Sequence, residues 1–343
     1  MKALYFVEHG GPEVLHYGDL PDPTPGPGES LIRVKAVALN HLDLWVRRGG
    51  PAFERLPKPH IGGADVAGVV AAHGPHTAGL PLGTRVIAAP GGVVGEDEWT
   101  RRGEDSVSPK YRILGEHTWG GCAEYVVVPS SDLMTMPDDF DFPQAAAPQL
   151  VYLTAWRMLV KRAALQAGET VAIVGAGGGV NSAAIQIAKH LGATVYAITS
   201  TPDKMARSLA LGADHAINYR AEDWSKAVFL ATGKRGVDVV VDNVGAPTWT
   251  ASIRALARGG RLVTVGGTGG PILEMDLRFV FSKQISILGS TMGSRQDFHD
   301  VMSLVWQRKL APVIDTVMPL SEGRAAHARL EEGSQFGKVV LTP

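Results

Sequence analysis

The chain has 343 residues, of which 45% are apolar and 20% are charged, and its formal net charge at pH 7 is −1. This composition is typical of a folded globular protein and excludes an intrinsically disordered chain. The 33 basic and 34 acidic side chains leave no excess positive charge to attract nucleic acid or an anionic membrane. A length above 300 residues favours two domains.

The single cysteine, Cys122, excludes an intramolecular disulfide and any metal site built from several thiolates. We interpret it as a small buried residue. Glu8 and His9 interrupt the first apolar run, and no segment approaches the roughly 18 apolar residues of a membrane span. We therefore expect a cytoplasmic protein with neither a membrane nor a nucleic acid as partner.

The first part of the chain predicts short strands that are separated by glycine and proline. Apolar and β-branched segments indicate strands at 2–7, 30–39, 66–72, 84–89 and 125–128. This spacing is typical of a β-rich barrel or sandwich. A glycine-rich and then charged segment, 90–109, has no periodicity and is interpreted as an excursion from this domain.

From about residue 150 onward, predicted strands alternate with predicted helices. The strands are expected at 170–174, 194–199, 238–242, 260–267, 285–289 and 338–341. The helices are expected at 181–191, 203–211, 248–257 and 296–308. Alternation of this kind indicates βαβ units and therefore an α/β fold with a doubly wound parallel sheet.

A glycine-rich turn, 175–180, lies between a predicted strand and a predicted helix, which is the arrangement of a dinucleotide-binding motif. The three glycine positions of that motif fall on Ala176, Gly178 and Asn181. Asn181 is expected to cap the helix or to loosen its packing slightly. The alternative is an ordinary glycine-rich turn in a doubly wound domain.

The choice of nucleotide depends on the end of the next strand, where an acidic residue binds the ribose of NAD. Ser200 and Thr201 occupy that strand end instead, and the cations Lys204 and Arg207 follow. Hydroxyls and a cation suit a 2′-phosphate, so the sequence favours NADP(H) over NAD(H). The alternative is a solvated helix start with a routine Asp203–Arg207 ion pair.

Several motifs together resemble the medium-chain dehydrogenase/reductase family, in particular its quinone oxidoreductase branch. They are Asn40-His41-Leu42-Asp43, the turn and helix start at 175–184, Ile217-Asn218-Tyr219, Val241-Asp242-Asn243-Val244-Gly245 and Phe336-Gly337-Lys338-Val339-Val340. The resemblance implies a GroES-like β-rich catalytic domain from residues 1–150 and 291–343. It also implies an inserted Rossmann domain at 151–290.

Zinc alcohol dehydrogenases of this family hold a catalytic zinc on Cys, His and Cys, with a Glu nearby. Asn40 stands here in place of the first Cys, and Ala64-Asp65 stand in place of His-Glu. Alanine cannot ligate a metal, so no metal site is expected. The alternative is that His41, His60, Asp65 and His117 converge on a metal and make an unconventional zinc-type alcohol dehydrogenase.

The structural zinc of many relatives is held by four Cys in a lobe, to which the segment 90–109 corresponds. The plausible ligand positions are occupied by Val94, Asp97, Thr100 and Ser108. None of these is a thiolate, so a tetrahedral four-cysteine site is excluded.

Without a Lewis acid, the expected reaction is the NADPH-dependent reduction of a quinone or an α,β-unsaturated carbonyl, because such an acceptor delocalises charge itself. The candidate catalytic residues are Asn40 beside the nicotinamide, Asp43 as an ordering group, and Trp45 where the branch often has Tyr. Asn40 and Asp43 are alternatively a turn and helix cap, and Trp45 a core residue. A further alternative is a non-catalytic NADP(H)-binding or redox-sensing protein.

The resemblance also implies a set of cofactor contacts, with Tyr219 near the adenosine phosphate and Thr154 and Asn243 toward the nicotinamide. Lys338 either reaches the cofactor or is an exposed strand lysine. The full set is Thr154, Ala176, Gly178, Gly179, Val180, Ser200, Lys204, Tyr219, Asn243, Val265, Gly266 and Lys338. By analogy with relatives we expect a homodimer, which pairs the edge strands predicted at 263–266 and 285–289.

Overall fold

The computed structural model describes residues 1–343 and divides into two compact units. The first unit comprises Met1–Leu150 and Ser294–Pro343, and the second comprises Val151–Gly293. The sequence-based division places the return to the first unit at residue 291, close to Ser294. None of the helices has both the length and the apolar character needed to cross a bilayer.

The strands and helices are numbered in chain order. The strands are β1 Lys2–Phe6, β2 His16–Asp19, β3 Glu29–Ala38, β4 His60–Ile61, β5 Asp65–His73, β6 Arg85–Ala88, β7 Gly91–Gly92, β8 Arg112–Ile113, β9 Tyr125–Pro129, β10 Leu133–Thr135, β11 Thr170–Val174, β12 Thr194–Thr199, β13 His215–Asn218, β14 Val237–Asp242, β15 Leu256–Thr264, β16 Ser286–Gly289, β17 Ile314–Pro319 and β18 Lys338–Thr342. The helices are α1 His41–Arg48, α2 Phe142–Ala146, α3 Gln149–Trp156, α4 Gly179–His190, α5 Pro202–Ala210, α6 Trp224–Ala231, α7 Trp249–Ala255, α8 Leu277–Lys283, α9 Arg295–Trp306 and α10 Gly323–Glu332.

The first unit is built around a seven-stranded sheet in the order β10-β6-β5-β3-β18-β17, with β9 also paired to β3. All its pairings are antiparallel except that of β17 with β18. A smaller sheet, β2-β1-β4, packs into the same core. Side chains of β3 alternate between buried and more exposed positions, so Ile32 and Val34 face the core. The predicted β-rich unit is confirmed.

The second unit contains a six-stranded sheet in the order β13-β12-β11-β14-β15-β16, and every pairing is parallel. This is the doubly wound order, in which the chain reverses direction across the sheet between β11 and β14. The side chains of β11 from Val171 to Val174 are all buried, as expected for a central parallel strand. The predicted α/β class is confirmed.

Two details of the second unit differ from the predictions. The helix predicted at 248–257 ends at Ala255, because Leu256 already begins β15. The segment 263–266 is not a sheet edge, since β15 pairs with β14 on one side and β16 on the other. Only β16, predicted at 285–289, is an edge strand on that side of the sheet.

Candidate active site and cofactor-binding residues

Three polar residues from adjacent strand ends, Asn40, Asp65 and Lys338, form what we call the buried polar cluster. Asp65 begins β5, Lys338 begins β18, and Asn40 lies between β3 and α1. β3 pairs with both other strands, so that Ala38 lies opposite Asp65 on one side and Val340 on the other. The topology of this sheet therefore brings residues 40, 65 and 338 together.

The buried polar cluster is closed by hydrogen bonds among its own members. Lys338 Nζ donates to Asp65 Oδ2 at 2.9 Å and to Asn40 Oδ1 at 2.5 Å. Asn40 Nδ2 donates to the same Asp65 oxygen at 3.0 Å, and the other carboxylate oxygen accepts the Leu150 N–H at 2.9 Å. Asp65 is 0% exposed, and a buried carboxylate requires a cation of this kind for compensation.

Asp43 holds the turn before α1 against the neighbouring loop. Its Oδ2 accepts the Asn40 N–H at 2.7 Å, and its Oδ1 accepts the Gly63 N–H at 2.7 Å. Burial raises the pKa of Asp43 to about 6, although the two backbone N–H donors work in the opposite direction. Gly63 has a φ of 97°, and a Cβ there would lie 2.8 Å from Cys122 Sγ, so the loop requires glycine. Asp43 is thus an anchor at a helix start, and its predicted part in catalysis stays a prediction.

Trp45 and His41 lie one helical turn apart on α1, with their ring centroids separated by 6.4 Å. Both are half-buried, so Trp45 is not a fully buried core residue. Burial lowers the pKa of His41, and the positive charges of Lys338 and Arg48 lower it further. These rings therefore present a neutral aromatic surface at neutral pH.

The four residues of the alternative metal site do not form a ligand group, because no three or more His, Cys, Asp or Glu side chains are arranged to hold a metal ion. His60 Nε2 is instead hydrogen-bonded to Gly115 O at 3.0 Å, and His117 Nδ1 accepts the Ile113 N–H at 3.1 Å. A catalytic zinc does not fit the family positions either. Ala64 has no donor atom, and an ammonium group already occupies the Asp65 carboxylate.

A second polar cluster lies in the segment 90–109, and we call it the lobe cluster: Asp97, Thr100 and Ser108. The Ser108 hydroxyl donates to Asp97 Oδ2 at 2.5 Å, while Asp97 Oδ1 accepts the N–H groups of Trp99 at 3.0 Å and of Thr100 at 2.9 Å. The Ser108 hydrogen bond is the main cause that lowers the pKa of Asp97. Val94, the remaining residue that the resemblance implies at a zinc-ligand position, is 77% exposed and takes no part.

In the second unit, the glycine turn leads into α4 at the carboxyl edge of the parallel sheet. Gly178 is the residue before the helix and provides no side-chain cap, so the N–H groups at the start of α4 have no helical acceptor. A Cβ at Gly178 would meet only Gly175 O, at 3.6 Å. Open space above unpaired N–H groups fits the pyrophosphate of a dinucleotide, with Gly179 and Val180 in the first turn.

The expectation that Asn181 caps α4 is wrong, because the helix already begins at Gly179. Its side-chain Nδ2 instead donates to Val174 O at 2.7 Å and to Gly175 O at 3.0 Å. Its Oδ1 accepts from Asn243 Nδ2 at 2.8 Å, and Asn243 Oδ1 accepts the Val265 N–H at 2.9 Å. These amides therefore join the ends of β11, β14 and β15, and the expected loosening of the helix packing stays a prediction.

The residues predicted to bind the adenosine ribose and its phosphate lie at the carboxyl ends of the neighbouring strands β12 and β13. Thr201 caps α5 by accepting the Lys204 N–H at 3.2 Å, and Ser200 before it is half-buried. Tyr219 follows β13 and is 46% exposed. Ser200 and Tyr219 thus directly follow the adjacent strands β12 and β13, while Lys204 and the exposed Asp203 lie in the first turn of α5.

The remaining predicted cofactor residues differ in accessibility. Thr154 on α3 is 4% exposed, and its Oγ1 is buried without a hydrogen-bond partner, which fits a hydroxyl that awaits a ligand. Gly266, after β15, accepts from the Thr264 hydroxyl at 3.0 Å. Ala176 is fully buried, so its side chain offers no surface to a cofactor.

Sequence reasoning missed the pairing of Lys338 with Asp65. The two residues are 273 positions apart, and neither expectation for Lys338 included it. The expectation of an exposed strand lysine is wrong, since Lys338 is 4% exposed. A signal is present in the sequence: Asp65 directly precedes the strand predicted at 66–72, and a carboxylate that becomes buried there needs a cation.

Comparison with known proteins identifies the family. Residues 26–138 match the alcohol dehydrogenase GroES-like domain, and residues 179–307 match the zinc-binding dehydrogenase domain. Quinone oxidoreductase of Homo sapiens is 30% identical over 353 residues, which cover 99% of this chain and 97% of that protein. Crotonyl-CoA reductase of Streptomyces collinus is 31% identical over 371 residues, covering 96% of this chain and 82% of that protein.

A solved structure of an NAD-dependent alcohol dehydrogenase is similar along its whole length, with a TM-score of 0.96, 46% identity and 100% coverage of both chains. The two units are thus a GroES-like domain and a Rossmann domain, as the resemblance implied. The chain belongs to the medium-chain dehydrogenase/reductase family, and it is an oxidoreductase of that family that binds a nicotinamide cofactor.

Proposed function

We propose that this protein uses NADP(H) to reduce a quinone or an α,β-unsaturated carbonyl without zinc. The observation that carries the proposal is the buried polar cluster, in which the Lys338 ammonium is bound to Asp65 at 2.9 Å. Asn40 and Ala64 replace two ligands of the family's catalytic zinc. In this proposal, the Lys338 ammonium takes the part that the resemblance assigns to the metal of zinc-type relatives.

The chemistry of the acceptor supports the same proposal. The nicotinamide cofactor, when bound, supplies a hydride. A conjugated carbonyl or quinone spreads the resulting negative charge onto its oxygen, so hydrogen-bond donors can replace a Lewis acid. The relatives named quinone oxidoreductase and crotonyl-CoA reductase support an acceptor of this type.

The preference for NADP(H) is supported by the residues at the ends of β12 and β13. Ser200 and Thr201 supply hydroxyls and Lys204 supplies a cation, whereas a carboxylate at the strand end would repel a 2′-phosphate. Fluorescence titration with NADPH and NADH tests this preference. Tighter binding of NADPH, lost in the Lys204→Ala variant, is the expected result, and equal or tighter binding of NADH contradicts it.

The second candidate is an NAD-dependent alcohol dehydrogenase, which the 46% identity to a solved structure of that description favours. Metal analysis of the purified protein, followed by NADPH oxidation with a panel of quinones and enones, separates the candidates. Reduction by metal-free protein supports our proposal. Stoichiometric zinc, with alcohol oxidation that is lost on chelation, supports the second candidate. Tight NADPH binding with no turnover of any acceptor favours a binding or redox-sensing protein.

We also propose a homodimer in the cytoplasm. β16 is an open sheet edge, and its Ile287 is 38% exposed. The preceding loop and α8 expose Ile272, Leu277 and Phe281, which are 88%, 64% and 68% accessible. An open edge beside apolar side chains is a surface that pairing with a second copy would cover. Light scattering of the Ile287→Lys variant, expected to be monomeric, tests the dimer.

A further inference from the structure

The side chains of the buried polar cluster differ in their remaining capacity for hydrogen bonds. Asp65 uses both oxygens, with Lys338 and Asn40 on one and the Leu150 N–H on the other. The Asn40 amide uses Oδ1 for Lys338 and Nδ2 for Asp65, with a longer contact of 3.4 Å to Ala38 O. An ammonium group has three N–H donors, and Lys338 uses two of them within its unit. The third N–H of the Lys338 ammonium is therefore the one charged donor of the cluster that has no acceptor within it.

Solvent exposure within the buried polar cluster follows the same order as the unused hydrogen-bonding capacity: it is lowest for Asp65. Asp65 is 0% exposed, whereas Lys338 and Asn40 are 4% and 5% exposed. The carboxylate is therefore fully enclosed, whereas Lys338 and Asn40 each retain a small accessible fraction. The carboxylate and the amide hold the ammonium at a fixed position, so its third N–H is oriented before any ligand arrives.

We propose that Lys338 donates this third hydrogen bond to the carbonyl oxygen of the acceptor and so supplies the positive charge that a metal supplies in zinc-type relatives. The inference rests on the proposed function and names the residue that serves it. Asn40, which the sequence analysis places beside the nicotinamide, acts in this inference as a positioning residue that holds Lys338.

For an enone, the reduction adds a hydride and a proton across the C=C bond. The hydride from the reduced nicotinamide forms a C–H bond at the β-carbon, and the π pair moves through the α-carbon onto the carbonyl oxygen. Lys338 stabilises this enolate oxygen as an N–H donor. A proton from water then forms the second C–H bond at the α-carbon, which leaves the saturated carbonyl compound and the oxidised nucleotide.

The expected loss of kcat on removing the Lys338 ammonium can be estimated from other enzymes that lose one hydrogen-bond donor to an oxyanion. Removal of a single preorganised donor to a developing oxyanion costs about 10²–10³ in kcat. We expect Lys338→Met, which keeps the length of the side chain but not its charge, to lower kcat by that factor. Lys338→Arg keeps a charged donor and should retain part of the rate.

Lys338→Met also leaves the Asp65 carboxylate buried without a cation and can unfold the protein for that reason alone. The double variant Asp65→Asn/Lys338→Met removes both charges and serves as the stable control. It should recover stability but keep the defect in kcat. Dissociation constants for NADPH, measured by fluorescence, should stay within about twofold in all three variants. The opposite pattern, a loss of NADPH affinity with unchanged kcat, would make Lys338 a cofactor ligand and overturn the inference.

A binding measurement without turnover separates this inference from the proposed function. The probe is 4-nitrophenol, whose phenolate resembles an enolate oxygen and absorbs differently from the neutral phenol. The wild-type protein with oxidised nucleotide should bind the phenolate and increase its absorbance below the pH at which the free phenol ionises. The Asp65→Asn/Lys338→Met variant should not.

The two readouts distinguish a failure of the proposed function from a failure of the role of Lys338. If no acceptor is reduced but the wild-type protein stabilises the phenolate and the double variant does not, the proposed function fails and the role of Lys338 stands. If acceptors are reduced but phenolate binding and kcat are the same in wild-type protein and the double variant, the function stands and the role of Lys338 is wrong.

Discussion

Two polar clusters of the first unit, the buried polar cluster and the lobe cluster, each stabilise an aspartate carboxylate, but they do so in different ways. The buried polar cluster pairs a carboxylate that is 0% exposed with the ammonium of Lys338. The lobe cluster surrounds the half-buried carboxylate of Asp97 with the Ser108 hydroxyl and two backbone N–H groups, and includes no cation. A sealed carboxylate needs an opposite charge, whereas a carboxylate near water needs only neutral donors.

Asp43 and Asp97 provide a matched pair within this comparison. Each carboxylate accepts two backbone N–H groups, from Asn40 and Gly63 in one case and from Trp99 and Thr100 in the other. Burial nevertheless raises the pKa of Asp43 to about 6, while the Ser108 hydroxyl lowers that of Asp97. Similar donors thus give opposite shifts in pKa, and depth below the surface decides the sign.

The largest expected effect is the loss of the cation from the buried polar cluster. Lys338→Met leaves Asp65 uncompensated, and removal of one partner of a buried ion pair costs about 3–5 kcal/mol of the free energy of unfolding. Urea denaturation measures this loss. The double variant Asp65→Asn/Lys338→Met should recover most of it, because the buried polar cluster then holds no charged side chain. Additive losses in the double variant would contradict the proposed compensation.

The next effect concerns the anchor at the start of α1. Asp43→Asn keeps the shape of the side chain but replaces one acceptor oxygen by an N–H donor, so one of the two buried N–H groups loses its acceptor. We expect a loss of about 1–3 kcal/mol at pH 7. Urea denaturation beside the matched Asp97→Asn variant gives the comparison. Equal losses in the two variants would show that burial does not separate the two sites.

The opposite pKa shifts of Asp43 and Asp97 predict opposite dependences of stability on pH, and that of Asp43 has the larger expected effect. The folded-state pKa of Asp43 is raised from 3.8 to about 6, so its contribution is fully present below pH 3.8 and is lost as the pH rises through about 6. Between pH 7 and pH 5 the wild-type protein should gain about 1 kcal/mol relative to Asp43→Asn. Denaturation of both proteins at the two pH values measures this difference. No change, or a change of opposite sign, contradicts the raised pKa.

The fold was largely predictable from the sequence, because hydrophobic periodicity and glycine punctuation are local. The segments around Val171 and Ile198 indicated buried parallel strands, and the structure places them at the centre of the sheet. The helix predicted to Ala257 ended early because pairing with β14 drew Leu256 into β15, which no local pattern encodes.

The candidate site was only partly predictable. Asn40 and Asp43 follow a strand directly, so their proximity to a helix start was visible in the sequence. The bond of Lys338 to Asp65 depends on the pairing of β3 with both β5 and β18, which is a long-range property of the sheet. The side chain of Asn181 likewise finds its partner Asn243 only through the adjacency of β11 and β14.

The smallest expected effect is on the lobe cluster, where Asp97→Asn should leave the global urea midpoint unchanged. The half-buried site remains accessible to water, which can replace the lost acceptor. The local effect should appear as several-fold faster amide hydrogen exchange at Trp99 and Thr100, whose N–H groups donate to Asp97 Oδ1.

The lowered pKa of Asp97 also predicts how this protection depends on pH. In the wild-type protein, the protection of the Trp99 and Thr100 amides should persist above pH 3.8 and decline only as the pH falls below it. Amides of β11 serve as the internal control, since they belong to the other unit. A shift of the global midpoint as large as that of Asp43→Asn would mean that the lobe cluster is coupled to the core and that depth alone does not explain the difference between the two regions.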